Sequence, residues 1–154
     1  MNRYFAAGLV ATSIGLAALT SPALAAPVGP DDVAFDEGSV AKSLTGKAGD
    51  AKSGREIFMA RKLGNCLACH ENPDMTDQPF HGDVGPSLEG VAERYDQAQL
   101  RGLVVNAKNS FEGTIMPSFY RLENGARPLG KFAGKTILSA QEVEDLVAYL
   151  MTLK

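Results

Sequence analysis

The sequence predicts an all-α fold with long connections. Three observations carry this. Apolar residues recur at helical spacing in several segments, two of those segments open with a capping-box pattern, and no stretch reads as a convincing sheet. Internal repeats and low-complexity tracts are absent from the sequence.

The first 25 residues have the layout of a cleaved secretory leader: Arg3, then 15 mostly small and apolar positions from Phe5 to Leu19, then Ser21-Pro22 and Ala23-Leu24-Ala25. The apolar run is shorter than the ~20 residues a spanning helix needs. The expectation is therefore export to the periplasm with cleavage after Ala25, and no membrane span. Without a twin-arginine signal, export as an unfolded chain is expected. The remaining 129 residues carry 14 basic and 18 acidic side chains, a net charge of −4, which argues against a nucleic-acid partner. Residues 26–49 are rich in Gly, Pro and Asp and read as an extended or loosely packed arm before a domain at 50–154.

Four helices are expected in that domain. Asp50 is a plausible N-cap for the first, whose apolar side carries Gly54, Ile57 and Phe58. A second covers about Leu88 to Tyr95, behind Ser87. A third begins at Asp96, with Gln99 completing a capping box and Leu100, Leu103 and Val104 at helical spacing. The last is the best specified. Ser139 and Glu142 form a capping box, Leu138 is placed to staple onto Val143, and Val143, Leu146, Val147 and Leu150 make one stripe.

The long connections have a chemical explanation in Cys66-Leu67-Ala68-Cys69-His70, which contains both cysteines and one of the two histidines. C-x-x-C-H is the attachment pattern of c-type haem. Two thiols on one turn can add to the two vinyl groups of the porphyrin, which holds the next residue, His70, beneath the ring with its imidazole free for iron. A zinc site would have to combine Cys66, Cys69, His70 and His81 with adjacent ligands and no second C-x-x-C. A redox dithiol would want a βαβ context that the helical pattern does not offer.

For the opposite face of the iron, Met116 is the favoured ligand. It lies 46 positions beyond His70 in a loop, and Pro117 holds the backbone extended after it. Met59, Met75 and Met151 are less suitably placed, Met1 belongs to the leader, and His81 is the second candidate. A thioether opposite His70 would fill both axial positions, which suits electron transfer and disfavours oxygen activation.

With these residues the chain resembles the class I cytochromes c. In that family a Gly and an aromatic on the N-terminal helix pack against L-x-x-Y on the C-terminal helix. Gly54, Phe58, Leu146 and Tyr149 stand in those positions here. The resemblance implies that Pro86, in Gly85-Pro86-Ser87-Leu88, offers its carbonyl to the proximal histidine. It also supports Met116-Pro117 as the distal element. Longer segments are similar to the SoxX family: Gly64-Asn65, Val84 to Tyr95, Leu100 to Asn106, Met116 to Tyr120, and Ile137 to Leu153. SoxX proteins are the monohaem subunits of SoxAX cytochrome complexes.

That resemblance implies one covalent haem c and a heterodimer with SoxA. The complex is an L-cysteine S-thiosulfotransferase that couples thiosulfate oxidatively to a cysteine of the SoxYZ carrier and passes electrons to a soluble cytochrome c. The reactive cysteine would belong to SoxA, and this chain would contribute no catalytic residue. Two alternatives stay open on the residues alone: a free-standing electron shuttle, and a haem enzyme or sensor with an open distal site. The arm at 26–49 and the loop at 121–135 are candidate docking segments.

Overall fold

Residues 51–59 form the first helix, α1, because Asp50 stops the preceding chain in extended conformation and caps the new turn: its carboxylate accepts the Ser53 N–H at 2.7 Å. The computed structural model describes residues 26–123 and 130–154. The expected leader, its cleavage position and part of the 121–135 loop lie outside the described residues. Gly54, Ile57 and Phe58 are the buried side of α1, as the spacing predicts.

The C-terminal helix spans Ala140–Leu150 and becomes α4 once the two central helices are placed. Its capping box is complete: the Glu142 N–H donates to Ser139 Oγ at 3.3 Å, and the Ser139 N–H donates to the Glu142 carboxylate at 2.7 Å. Val143, Leu146, Val147 and Leu150 are all buried, and Leu138 is buried ahead of the cap. α1 and α4 cross with backbones in contact at Gly54, where a Cβ would strike the Asp145 carbonyl and approach Tyr149 Cβ. Phe58 meets the Tyr149 ring edge-on, with centroids 5.8 Å apart and planes at 68°.

Between them, α3 covers Gln97–Asn106 behind the predicted Asp96–Gln99 capping box, at 2.8 and 2.9 Å. The helix α2 is shorter than its sequence suggests, spanning only Val91–Arg94 rather than 88–95. Gly90 takes a left-handed φ of 60°, which breaks the helical path. The residues before it are drawn into another ladder, with the Leu88 N–H donating to the Glu71 carbonyl at 3.0 Å. Among the described residues there is no β-strand, and no helix is long and apolar enough to cross a membrane.

The arm at 26–49 has no helix, yet it is not loosely packed. Val33, Val40 and Leu44 are buried in the common core. Val28 N–H donates to Leu44 O at 2.7 Å, and Val40 N–H to Ala98 O at 2.9 Å. A buried ion pair ties the arm to two helices. Arg101 Nε and Nη2 reach the two Glu144 carboxylate oxygens at 2.9 and 3.1 Å, Arg101 Nη1 donates to Val40 O at 2.8 Å, and Leu44 N–H donates to Glu144 at 2.7 Å.

Candidate functional site

Cys66–Ala68 form a single 3₁₀ turn, entered from Asn65 at a left-handed φ of 49°. The N–H groups of Cys69 and His70 both donate to the Cys66 carbonyl, at 3.0 and 2.9 Å. Cys66, Cys69 and His70 thus share one turn, anchored from below by buried Leu67. Cys69 is exposed and Cys66 half-buried, and desolvation pushes the Cys66 thiol up to about 12.

The zinc alternative lacks a site, since among the described residues no group of three or more His, Cys, Asp or Glu is arranged so that it could hold a metal ion. His81 is occupied elsewhere. Its Nδ1 accepts the Asn72 N–H at 3.2 Å and its Nε2 faces the Met75 carbonyl at 3.0 Å, which assigns the Nε2–H tautomer. It staples the loop after the haem motif, so the second candidate for axial ligand has both ring nitrogens engaged.

A second segment wraps the turn. Gly82 N–H donates to Leu67 O at 2.9 Å and Gly85 N–H to Cys69 O at 2.7 Å. Both glycines are required by close approach: a Cβ on Gly82 would meet the Ala68 carbonyl, and one on Gly85 would meet the His70 ring. The wrap brings the Pro86 carbonyl to 2.7 Å from His70 Nδ1. A carbonyl only accepts, so Nδ1 carries the proton and Nε2 presents its lone pair. Among the described residues Nε2 has no hydrogen-bond partner. This is the carbonyl-oriented histidine that metal ligation favours. Gly82 was not legible as a site residue, because its need appears only when the loop lies against Ala68.

The segment after His70 is fixed to the helix crossing. Fully buried Asn72 donates to Tyr149 Oη at 2.9 Å, and that hydroxyl donates to Asp74 at 2.9 Å. Burial, with the Asp74 carboxylate beside it, pushes the Tyr149 phenol up to about 12. Arg55 on α1 lies 3.7 Å from Asp74 and 2.5 Å from Asp77.

Met116 stands on a separate segment, half-buried in the loop that leaves α3 through the turn Ala107–Asn109. No hydrogen bond joins it to the Cys66–His70 turn. The other described methionines are core residues: Met75 is fully buried, and Met59 and Met151 pack on the core. Apolar side chains are left uncovered beside both segments, with Phe80 and Val84 83 and 63% exposed in the wrapping loop and Ile115 80% exposed next to Met116. Two thiols and an oriented imidazole on one turn, a thioether on another segment and an uncovered apolar rim fit a haem. A cavity of about 850 Å³ between the arm and the start of α4, lined by Pro30, Tyr120 and Gln141, contains none of these groups.

Residues 51–154 match the family model described as cytochrome c. In structure the chain is similar to one chain of the crystal structure of SoxXA from P. pantotrophus, with a TM-score of 0.78, 44% identity, and coverage of 84% of this chain and 99% of that one. Among curated proteins it is 33% identical over 105 residues to the cytochrome c-553-like protein of Synechocystis, covering 68% of this chain and 70% of that protein. It is 31% identical over 81 residues to cytochrome c-550 of Bacillus subtilis, covering 53% of this chain and 58% of that protein. The chain spans 39 and 58% of the lengths of two curated relatives it matches. Its cofactor is a covalently bound haem c. The chain belongs to the cytochrome c family, in the SoxX group of its class I members.

Proposed function

We propose that this chain is the electron-transfer subunit of a periplasmic SoxAX-type complex, an L-cysteine S-thiosulfotransferase. The observation that carries the reading is the likeness to a SoxXA chain along 99% of that chain's length at 44% identity. In this reading residues 1–25 are a leader cleaved after Ala25, and the arm at 26–49 belongs with the cytochrome domain at 50–154.

The roles follow from the chemistry of the side chains. Cys66 and Cys69 hold the haem through thioethers. His70 Nε2 is the proximal ligand, aimed by the hydrogen bond from Nδ1 to Pro86 O. Met116 is the distal ligand. The bound haem supplies a one-electron iron couple. Held by these four residues, the haem would carry the electron, and the protein's contribution would be burial, ligand choice and docking.

Both cysteines of the sequence lie in the haem motif, so no thiol remains here for bond-making. The nucleophile belongs to the SoxA partner, the accepting cysteine to the SoxYZ carrier, and the released electrons pass through this chain to a soluble cytochrome c.

Reconstitution tests this. Alone with thiosulfate and an acceptor cytochrome, the holoprotein gives negligible turnover, and adding SoxA and SoxYZ produces thiosulfate-dependent reduction. Coupling by the isolated chain would overturn the assignment. Failure to associate with SoxA would favour a free-standing shuttle.

A further inference from the structure

We infer that Lys108 and Ser118 are positioning residues that latch the Met116 loop to the end of α3 and thereby set how readily the distal position opens. This rests on the reading of Met116 as the distal ligand. The loop is held on both sides of that residue. Lys108 Nζ donates to the Met116 carbonyl at 2.7 Å, and Met116 N–H donates to Thr114 Oγ1 at 3.2 Å. Two positions on, Ser118 Oγ donates to Asn106 Oδ1 at 2.7 Å. Lys108 and Asn106 flank the point where α3 passes into the Ala107–Asn109 turn, so both contacts run to one rigid base.

The two contacts differ in kind. Ser118 is buried, and its hydroxyl links the run into Phe119, whose N–H donates to Val104 O at 3.2 Å, to the helix end. Lys108 is exposed and reaches over to the carbonyl of the ligand residue itself, as a charge-assisted donor. A thioether is a neutral, weak ligand, so its occupancy depends on how the backbone presents it. Releasing either contact lets the loop swing away without disturbing the core, because the elements on both sides stay anchored.

The test uses the ferric holoprotein and imidazole as probe, following loss of the far-red sulfur-to-iron band. Opening of the loop precedes entry of the probe, so a weakened latch raises apparent affinity. Lys108→Gln and Ser118→Ala are each expected to raise imidazole affinity about three- to tenfold, the range that loss of one such hydrogen bond allows. Lys108→Arg, which keeps a charged donor, should restore most of the original affinity. Lys52→Gln, which removes one positive charge from α1, should leave it unchanged. If Met116→Ala removes the band while Lys108→Gln and Ser118→Ala bind imidazole as the parent does, the latch is wrong and the ligand assignment stands. If Met116→Ala keeps the band, the ligand assignment falls and the latch falls with it.

Discussion

Arg101 and Glu144 form a bidentate ion pair in the core, 43 positions apart in sequence and only 4 and 2% exposed. Both also bond to backbone groups of the arm, Arg101 to Val40 O and Glu144 to the Leu44 N–H. One pair therefore joins α3, α4 and the segment before α1. Removing one partner leaves the other charge buried and unpaired, at a cost of about 3 to 5 kcal/mol. Arg101→Met and Glu144→Gln should each lower the denaturant midpoint of the holoprotein accordingly. Loss of less than about 1 kcal/mol in both would show that the arm does not depend on the pair.

Covalent attachment is checked at the two thiols. The mature protein should weigh the chain from Ala26 plus one haem, and the haem should survive acid–acetone extraction. Cys66→Ala and Cys69→Ala should each give a pyridine haemochrome spectrum of one thioether, or no retained haem. Unchanged spectra in both would contradict the attachment chemistry.

Met116→Ala should abolish the far-red band of the ferric protein, admit exogenous ligands and lower the reduction potential, because the thioether favours ferrous iron. Potentiometric titration reads the last effect. In the proposed complex, association with SoxA should survive, since the substitution is confined to the distal loop.

The helix crossing tolerates no side chain at Gly54. Gly54→Ala places a methyl against the Asp145 carbonyl and Tyr149 Cβ, and should destabilise by about 1 to 3 kcal/mol as an overpacked contact. Chemical denaturation of the holoprotein measures it. A neutral result would mean that the two backbones can separate at no cost.

Alkaline stability should report on Tyr149. Its phenol is raised in the folded chain from 10.0 to about 12, so folding favours the protonated form. That contribution is fully present below pH 10 and is lost as pH rises through about 12. The parent should lose more stability across this window than Tyr149→Phe, compared by thermal melts at matched pH. Parallel curves would show that the phenol does not couple to folding.

The helices were legible where local chemistry decides them. Asp50, the Asp96–Gln99 pair and the Ser139–Glu142 pair cap their own next turn and need no distant partner. The C-x-x-C-H turn was legible for the same reason. What escaped depends on remote contacts. Glu144 follows Val143 and Arg101 follows Leu100, so each reads as a solvated charge beside an apolar stripe until the arm is folded over it. The packing of Val40 and Leu44 was hidden because residues 26–49 have no period of their own. α2 was overextended because Gly90 looks like a tolerable helix residue when its φ is unknown.

The crossing of α1 and α4 has a consequence for the order in which the molecule is built. A chain delivered amino end first presents the Cys66–His70 turn long before Ala140–Leu150 arrives. Until then α1 lacks its partner, Tyr149 cannot grip Asn72 and Asp74, and the arm has no Glu144 to rest on. The segment that carries the two thiols therefore stays unpacked on this side until Ala140–Leu150 has been made. Packing around the C-x-x-C-H turn is completed only when the eleven-residue helix α4 docks.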